Sequence, residues 1–241
     1  MMKADTAAAG SLKGQVALVT GAGTGAGQKI AETLAFAGAS IAANDFTPMN
    51  VGAVVESIRS RGGIATTYVE DLTRGMPIRY LIDRIVSDLG RLDILVNAAQ
   101  VQHPAGVLEM DEWDWQRTMD VNLGSPFLLM QASARKMQSQ GGGVIVNLAV
   151  DGIHGAPLSG MPAYYAGKSG LAALSRAAAH EFLPYNIRVY ALCSDEFSLP
   201  ENSDSTCGRP DRYEIISKLV TLLCSSQTAQ LTSQIFRLDS V

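Results

Sequence analysis

Tyr164 and Lys168 stand four residues apart in Tyr164-Tyr165-Ala166-Gly167-Lys168. On a helix that spacing puts both side chains on one face. An ammonium beside a phenol lowers its pKa from about 10 toward the range where it exchanges a proton. The pair therefore points to proton transfer by Tyr164, tuned by Lys168. Tyr165 has no lysine four residues on and faces elsewhere on the helix. Far upstream, Thr20-Gly21-Ala22-Gly23-Thr24-Gly25-Ala26-Gly27 sits between an apolar run and a helical pattern. Glycines let backbone approach a pyrophosphate closely, and a helix N-terminus offers N–H donors and a favourable dipole. One element suggests nucleotide phosphates, the other acid–base chemistry.

The context of the glycine cluster sharpens its meaning. It follows Val16-Ala17-Leu18-Val19 and precedes Lys29-Ile30-Ala31-Glu32-Thr33-Leu34-Ala35, the strand–turn–helix setting a dinucleotide site requires. Gly21, Thr24, Gly25, Ala26 and Gly27 are the candidate phosphate contacts. Asp45 ends the second apolar run, eighteen residues after Gly27, with Phe46 beside it. A carboxylate there can accept from the adenosine ribose hydroxyls and would repel a 2′-phosphate. No Arg or Lys lies within the glycine turn. NAD is therefore the expected cofactor in preference to NADP. Asp71, after the third run, reads either as an adenine contact or as a turn or helix-cap residue.

These residues need a scaffold, and the chain supplies one. Strands are expected at Gln15–Thr20, Ser40–Asp45, Ile64–Glu70, Leu92–Asn97, Gly143–Ala149, Ile187–Leu192 and Gln234–Leu238. Several are almost wholly apolar, as parallel strands covered on both faces should be. Helical patterns fall near 25–37, 50–61, 77–89, 110–138, 162–183 and 211–224. The alternation predicts an α/β fold, a doubly wound parallel sheet with helices on both faces. No linker divides the chain, so residues 12–241 are expected to form one domain after an irregular lead at 1–11. The stretch 194–211, rich in Ser, Asp, Pro and Gly, follows the sixth strand, where such sheets bind ligands. It is the expected substrate loop.

Composition narrows the function further. The 241 residues are 47% hydrophobic and 17% charged, with a net charge of −4, enough for a substantial core and too little basicity for nucleic acid or anionic membranes. The apolar runs are short, so no membrane span is expected, and the N-terminus lacks the apolar core of a signal peptide. Cys193, Cys207 and Cys224 match no disulfide or zinc framework, nor do His103, His154 and His180 show ligand spacing. Reduced thiols, a cytoplasmic location and no metal follow as expectations.

Taken in order, the motifs resemble those of the short-chain dehydrogenase/reductase family, from about Leu12 to Asp239. Thr20-Gly21-x-x-x-Gly25-x-Gly27 is similar to the family's cofactor turn, and Asp71-Leu72 to its adenine-contacting pair. Asn97-Ala98-Ala99 resembles a variant of its Asn-Asn-Ala-Gly segment. Asp120-Val121-Asn122 fits the helix that carries a catalytic asparagine, and Tyr164-x-x-x-Lys168 the catalytic pair. The resemblance implies a seven-stranded Rossmann-like domain, assembled as a homodimer or homotetramer. It implies hydride exchange between nicotinamide and a small alcohol or carbonyl compound. Tyr164 would be the acid in reduction and the base in oxidation. Lys168 would hold the nicotinamide ribose, and Asn122 would position a water relaying protons from Lys168.

The chain departs from the family in places that matter. The family's serine, about thirteen residues before the tyrosine, has no counterpart in Asn147-Leu148-Ala149-Val150-Asp151-Gly152. Counting back from Tyr164 lands on Asp151, which when ionised only accepts hydrogen bonds. Three expectations follow: Asp151 takes part by binding a hydroxyl or cationic substrate, it donates as a protonated acid, or His154 supplies the donor. The alternative is that Asp151 merely shapes a turn. Gln100 replaces a glycine and is expected to crowd the adenosine. Ser194-Asp195 replaces a Pro-Gly pair, and Tyr190 an asparagine. A second reading, a catalytically weak dinucleotide-binding scaffold or regulatory subunit, stands beside the enzyme.

Overall fold

In the computed structural model, which describes residues 10–150, 159–194 and 212–238, seven parallel strands form one sheet. The strands are β1 (Val16–Thr20), β2 (Ser40–Asp45), β3 (Ala65–Val69), β4 (Ile94–Asn97), β5 (Gly143–Ala149), β6 (Ile187–Cys193) and β7 (Ile235–Arg237). Their spatial order is β3-β2-β1-β4-β5-β6-β7. The helices are α1 (Gly25–Phe36), α2 (Pro48–Ser60), α3 (Gly75–Leu89), α4 (Glu112–Met119), α5 (Ser125–Ser139), α6 (Pro162–Phe182) and α7 (Arg212–Cys224). The α/β reading of the sequence is met element by element, with ends displaced by a residue or two.

Side-chain alternation along each strand feeds two cores, one per sheet face. On one face Val19, Ala43, Val96 and Val146 pack with Ile30 and Leu34 of α1, Val51 and Val55 of α2, and Val220 of α7. On the other, Leu18, Ala42, Leu95 and Ile145 pack with Ile82 of α3, Leu129 of α5 and Leu171 of α6. Both faces being covered explains why the strands read as unbroken apolar runs.

Gly10–Gly14 form a turn, and Leu12, where the expected domain begins, is fully buried with its N–H donating to Ala37 O. Two expectations change. The helix expected across 110–138 is divided by a π-helical turn at Asp120–Gly124, where the Ser125 N–H reaches back to Asp120 O. Pro126 is the reason. It has no N–H for the Asn122 carbonyl, and in a regular helix its ring would clash there; the wider turn relieves both. Tyr190 is buried in the core and donates its hydroxyl to Leu231 O at 2.6 Å. It joins β6 to the segment entering β7 and takes no part in the site.

The chain starts at β1, builds outward through β2 and β3, and resumes on β1's other side with β4. The carboxyl ends of β1 and β4 thus diverge at a topological switch point, where open α/β sheets place their ligands.

Candidate active site

A cavity of about 500 Å³ lies at that switch point, lined by Thr20, Gly21, Asp45, Asp71, Ala99 and Gln100 among others. Its floor is the β1–α1 turn. Gly21 has φ +63°, and a Cβ there would lie 2.7 Å from Ala99 Cα. The turn therefore needs glycine both for its conformation and for its closeness to the β4 loop. Thr24 precedes α1 in extended conformation without capping it through its side chain, and no acidic residue occupies the first turn. The amides around Gly25, Ala26 and Gly27 are thus arranged to suit an anion. Gly27 is buried against Gly21.

Asp45 lines the cavity beside the glycine turn. One carboxylate oxygen accepts from Gly23 N–H at 2.9 Å and the other from Thr47 N–H at 2.8 Å. A Cβ on Gly23 would meet that carboxylate at 2.8 Å, so the turn and Asp45 are fitted to each other. Phe46 is exposed on the cavity rim. Asp71 serves as a turn residue while facing the cavity: Oδ1 accepts from the Thr73 amide and hydroxyl, and Oδ2 meets Arg117 at 3.4 Å. Against a desolvation that would raise it, the Thr73 hydrogen bonds and Arg117 hold its carboxyl below the usual carboxylate range. Leu72 is buried, and its carbonyl accepts from the Ser125 hydroxyl, tying this loop to α5.

The β4 loop forms the middle of the site. Thr20 Oγ1 accepts from the amides of Ala98 at 3.1 Å and Ala99 at 3.2 Å. Asn97 is buried and donates to Asn147 Oδ1 at 2.7 Å, and Asn147 in turn donates to Ser175 on α6. Asn122, fully buried in the π turn, clamps Val101 on both sides, accepting from its N–H at 3.1 Å and donating to its C=O at 2.8 Å. That turn is what aims Asn122 at the loop, a use such bulges often have.

Tyr164 and Lys168 project from α6 into the same region, 1% exposed each. Lys168 Nζ donates to Leu148 O at 2.9 Å and lies 3.5 Å from Ala99 O. Burial pushes its pKa down to about 7, with Cys193 opposing. The Tyr164 hydroxyl donates to Gln100 Oε1 at 3.0 Å. Gln100 thus lines the cavity and also meets the phenol. Gly21, Thr24, Ala26, Gly27, Asp45, Asn97, Ala98 and Ala99 thus line one cavity, and Asn122, Tyr164 and Lys168 hydrogen-bond to Val101, Gln100 and Leu148 of that lining. Asp151, His154, Asp195 and all but Ser194 of the expected substrate loop lie outside the described residues. Sequence reading missed Thr20 as the amide anchor, Arg117 and the Gln100 contact. Only Thr20, inside the glycine motif, carried a local signal.

Comparison with known proteins decides the lineage. A family model described as short chain dehydrogenase matches residues 15–204. The chain belongs to the short chain dehydrogenase family, a family of oxidoreductases. It is 38% identical over 214 residues to an uncharacterized oxidoreductase of Thermotoga maritima, covering 88% of this chain and 83% of that protein. It is 32% identical to a 3-oxoacyl-[acyl-carrier-protein] reductase of the same organism, covering 95% and 97%. A 2-dehydro-3-deoxy-D-gluconate 5-dehydrogenase of Escherichia coli is 37% identical over 189 residues, 76% of this chain and 71% of that one. Among solved structures, a short chain dehydrogenase from Mycobacterium smegmatis superposes with a TM-score of 0.85 at 29% identity, covering 96% and 94%. Among the described residues no helix is long and apolar enough to cross a membrane, and no cluster of three or more metal-ligating side chains occurs. Cys193 and Cys224 are buried free thiols.

Lys168 makes stability depend on pH in this family member. Its folded pKa of about 7 lies below its ordinary 10.5. Below about pH 7 both folded and unfolded chains carry the ammonium. Between about 7 and 10.5 the unfolded chain binds a proton that the native site does not, so stability rises with pH. Denaturant melts of the cofactor-free protein should show wild type gaining on the order of 1–3 kcal/mol relative to Lys168→Met between pH 6.5 and 9. A flat difference would mean that the ammonium is solvated.

Proposed function

We propose that this short chain dehydrogenase is NAD-dependent and moves hydride between nicotinamide and a small alcohol or carbonyl compound. The observation that carries the reading is one cavity lined by the glycine turn and Asp45, with Tyr164 and Lys168 hydrogen-bonded to Gln100, Ala99 and Leu148 of its lining. The glycine cradle fits a dinucleotide, since side chains at Gly21 or Gly23 would collide with Ala99 or Asp45. When bound, the nicotinamide supplies or accepts the hydride.

The chain's own residues do the rest. The amides around Gly25 and Gly27 meet the phosphates, and Asp45 accepts from the adenosine ribose hydroxyls. Lys168 holds the nicotinamide ribose, and Tyr164 gives or takes the proton at the substrate oxygen. Asn122, fixed to Val101, positions water for Lys168. The segment at 194–211 is the proposed substrate loop and Asp151 the proposed counterpart of the family's serine; apart from Ser194 these residues lie outside the described ones. The protein works in the cytoplasm as a homodimer or homotetramer, with a small molecule as its partner rather than nucleic acid or membrane. Relatives named for sugar acids, polyols and 3-oxoacyl thioesters supply the first compounds to screen.

Cofactor choice is directly measurable. Fluorescence titration should give NADH an affinity at least about tenfold above NADPH, roughly 1.4 kcal/mol. The physical cause is repulsion between Asp45 and a 2′-phosphate. Tighter NADPH binding would overturn the role of Asp45. Dinucleotide binding with no turnover across the screen would favour the scaffold reading.

A further inference from the structure

Arg117 and Ser125 stand on either side of the π turn, and both reach the loop that follows β3. Arg117 Nη1 meets Asp71 Oδ2 at 3.4 Å, and the Ser125 hydroxyl donates to the Leu72 carbonyl. Asp71 Oδ1 accepts from the Thr73 amide at 3.0 Å and the Thr73 hydroxyl at 2.9 Å. The carboxylate is therefore held at both oxygens, one from its own turn and the other from α4. These residues all line the cavity.

Among the described residues Arg117 is the one basic side chain of that lining, against three carboxylates. Asp45 is taken up by the amides of Gly23 and Thr47, and Glu70 pairs with Arg84 at 3.5 Å. With side chains 33% and 45% exposed, the Arg117–Asp71 pair adds little to stability. Its consequence lies in where it fixes an acceptor.

We propose that Arg117 positions Asp71 to read the 6-amino group of adenine, and so sets the base specificity of the dinucleotide. The proposal rests on the dinucleotide reading given above and deepens it. An ionised carboxylate only accepts, and its two oxygens offer about four lone-pair sites. Thr73 uses two and Arg117 one, which leaves an acceptor on Oδ2. A group bound there must be a donor. Adenine presents an amino group at position 6, whereas a 6-oxo purine presents a carbonyl oxygen that the carboxylate repels. Without Arg117 one oxygen is untethered, and a carboxylate this exposed turns to water instead of the base. Arg117 thus acts through Asp71.

The test is a fluorescence titration with NADH and with reduced nicotinamide hypoxanthine dinucleotide, which carries oxygen in place of the 6-amino group. It is run on wild type, Arg117→Met, Asp71→Asn and the double variant. Arg117 is partly exposed, so its substitution spares both cores, and thermal melts report the fold independently. Wild type should bind NADH at least about tenfold more tightly than the hypoxanthine form. Arg117→Met should bring that ratio within about threefold, chiefly by weakening NADH. Asp71→Asn should erase the ratio as well, because a primary amide offers a donor as readily as an acceptor. Adding Arg117→Met to Asp71→Asn should change nothing more. A purely structural role would weaken both dinucleotides alike and keep the ratio, which overturns the proposal, as does a wild type that does not discriminate. None of these measurements needs turnover, so a shifted ratio in a protein that turns over no alcohol or carbonyl counts against the oxidoreductase reading alone. Failure to bind either dinucleotide would sink both.

Discussion

Tyr164→Phe should lower kcat by about a hundred- to ten-thousandfold while leaving NADH affinity within about threefold of wild type. The ring is 1% exposed and packs edge-on against Tyr165, so phenylalanine fills the same volume in the same rotamer. What disappears is one oxygen and its proton, at the point where Gln100 meets α6. Asp45 and the Gly23 amide that it accepts from, where the adenosine is proposed to bind, make no hydrogen bond to Tyr164. Binding and chemistry should therefore separate cleanly, with the nicotinamide absorbance reporting turnover and its fluorescence reporting binding. Turnover that survives the substitution would remove Tyr164 from the mechanism.

Gly27→Ala should act in the opposite sense, on binding and stability before chemistry. A Cβ at Gly27 would intrude on the Gly21 carbonyl oxygen and come within 3.3 Å of Ala22 Cα. Both are backbone atoms, so no flexible side chain can yield. Gly21 is itself pressed against Ala99, and movement of the turn passes directly into the β4 loop. Overpacking of this kind costs about 1–3 kcal/mol. NADH affinity should fall at least about tenfold as the amides around Gly25 leave their positions. Gly52→Ala makes the control. It lies inside α2 with nothing within 4 Å of a new Cβ, and should stabilise by about 0.5–1 kcal/mol. Thermal melts and fluorescence titrations of the two variants distinguish a specific collision from a general intolerance of added carbon.

Much of this molecule could be read from its residues, because much of it is local. Tyr164 and Lys168 leave α6 on one side, toward Gln100 and Ala99, because four residues make about one helical turn. The glycines of 21–27 announce a turn into a helix, and the apolar runs announce strands covered on both faces. Pro126 marked the interruption of the helix expected across 110–138, although periodicity alone carried the pattern straight through it.

What sequence spacing could not say is which side chain from one element meets which from another. Gln100 reads from the sequence only as a residue beside the adenosine, and in the fold it also accepts a hydrogen bond from Tyr164, 64 positions away. Tyr190 looked like an altered site residue and is a bolt between β6 and the approach to β7. Asn122 was expected to hold water and also holds both backbone groups of Val101. Local residues alone set the fold class, the glycine turn and the placing of Tyr164 and Lys168 on one helical face, since periodicity and turn chemistry act over a few residues. The tertiary structure alone decided the partners of those groups, since they depend on how β1, β4 and α6 pack at the switch point of the sheet.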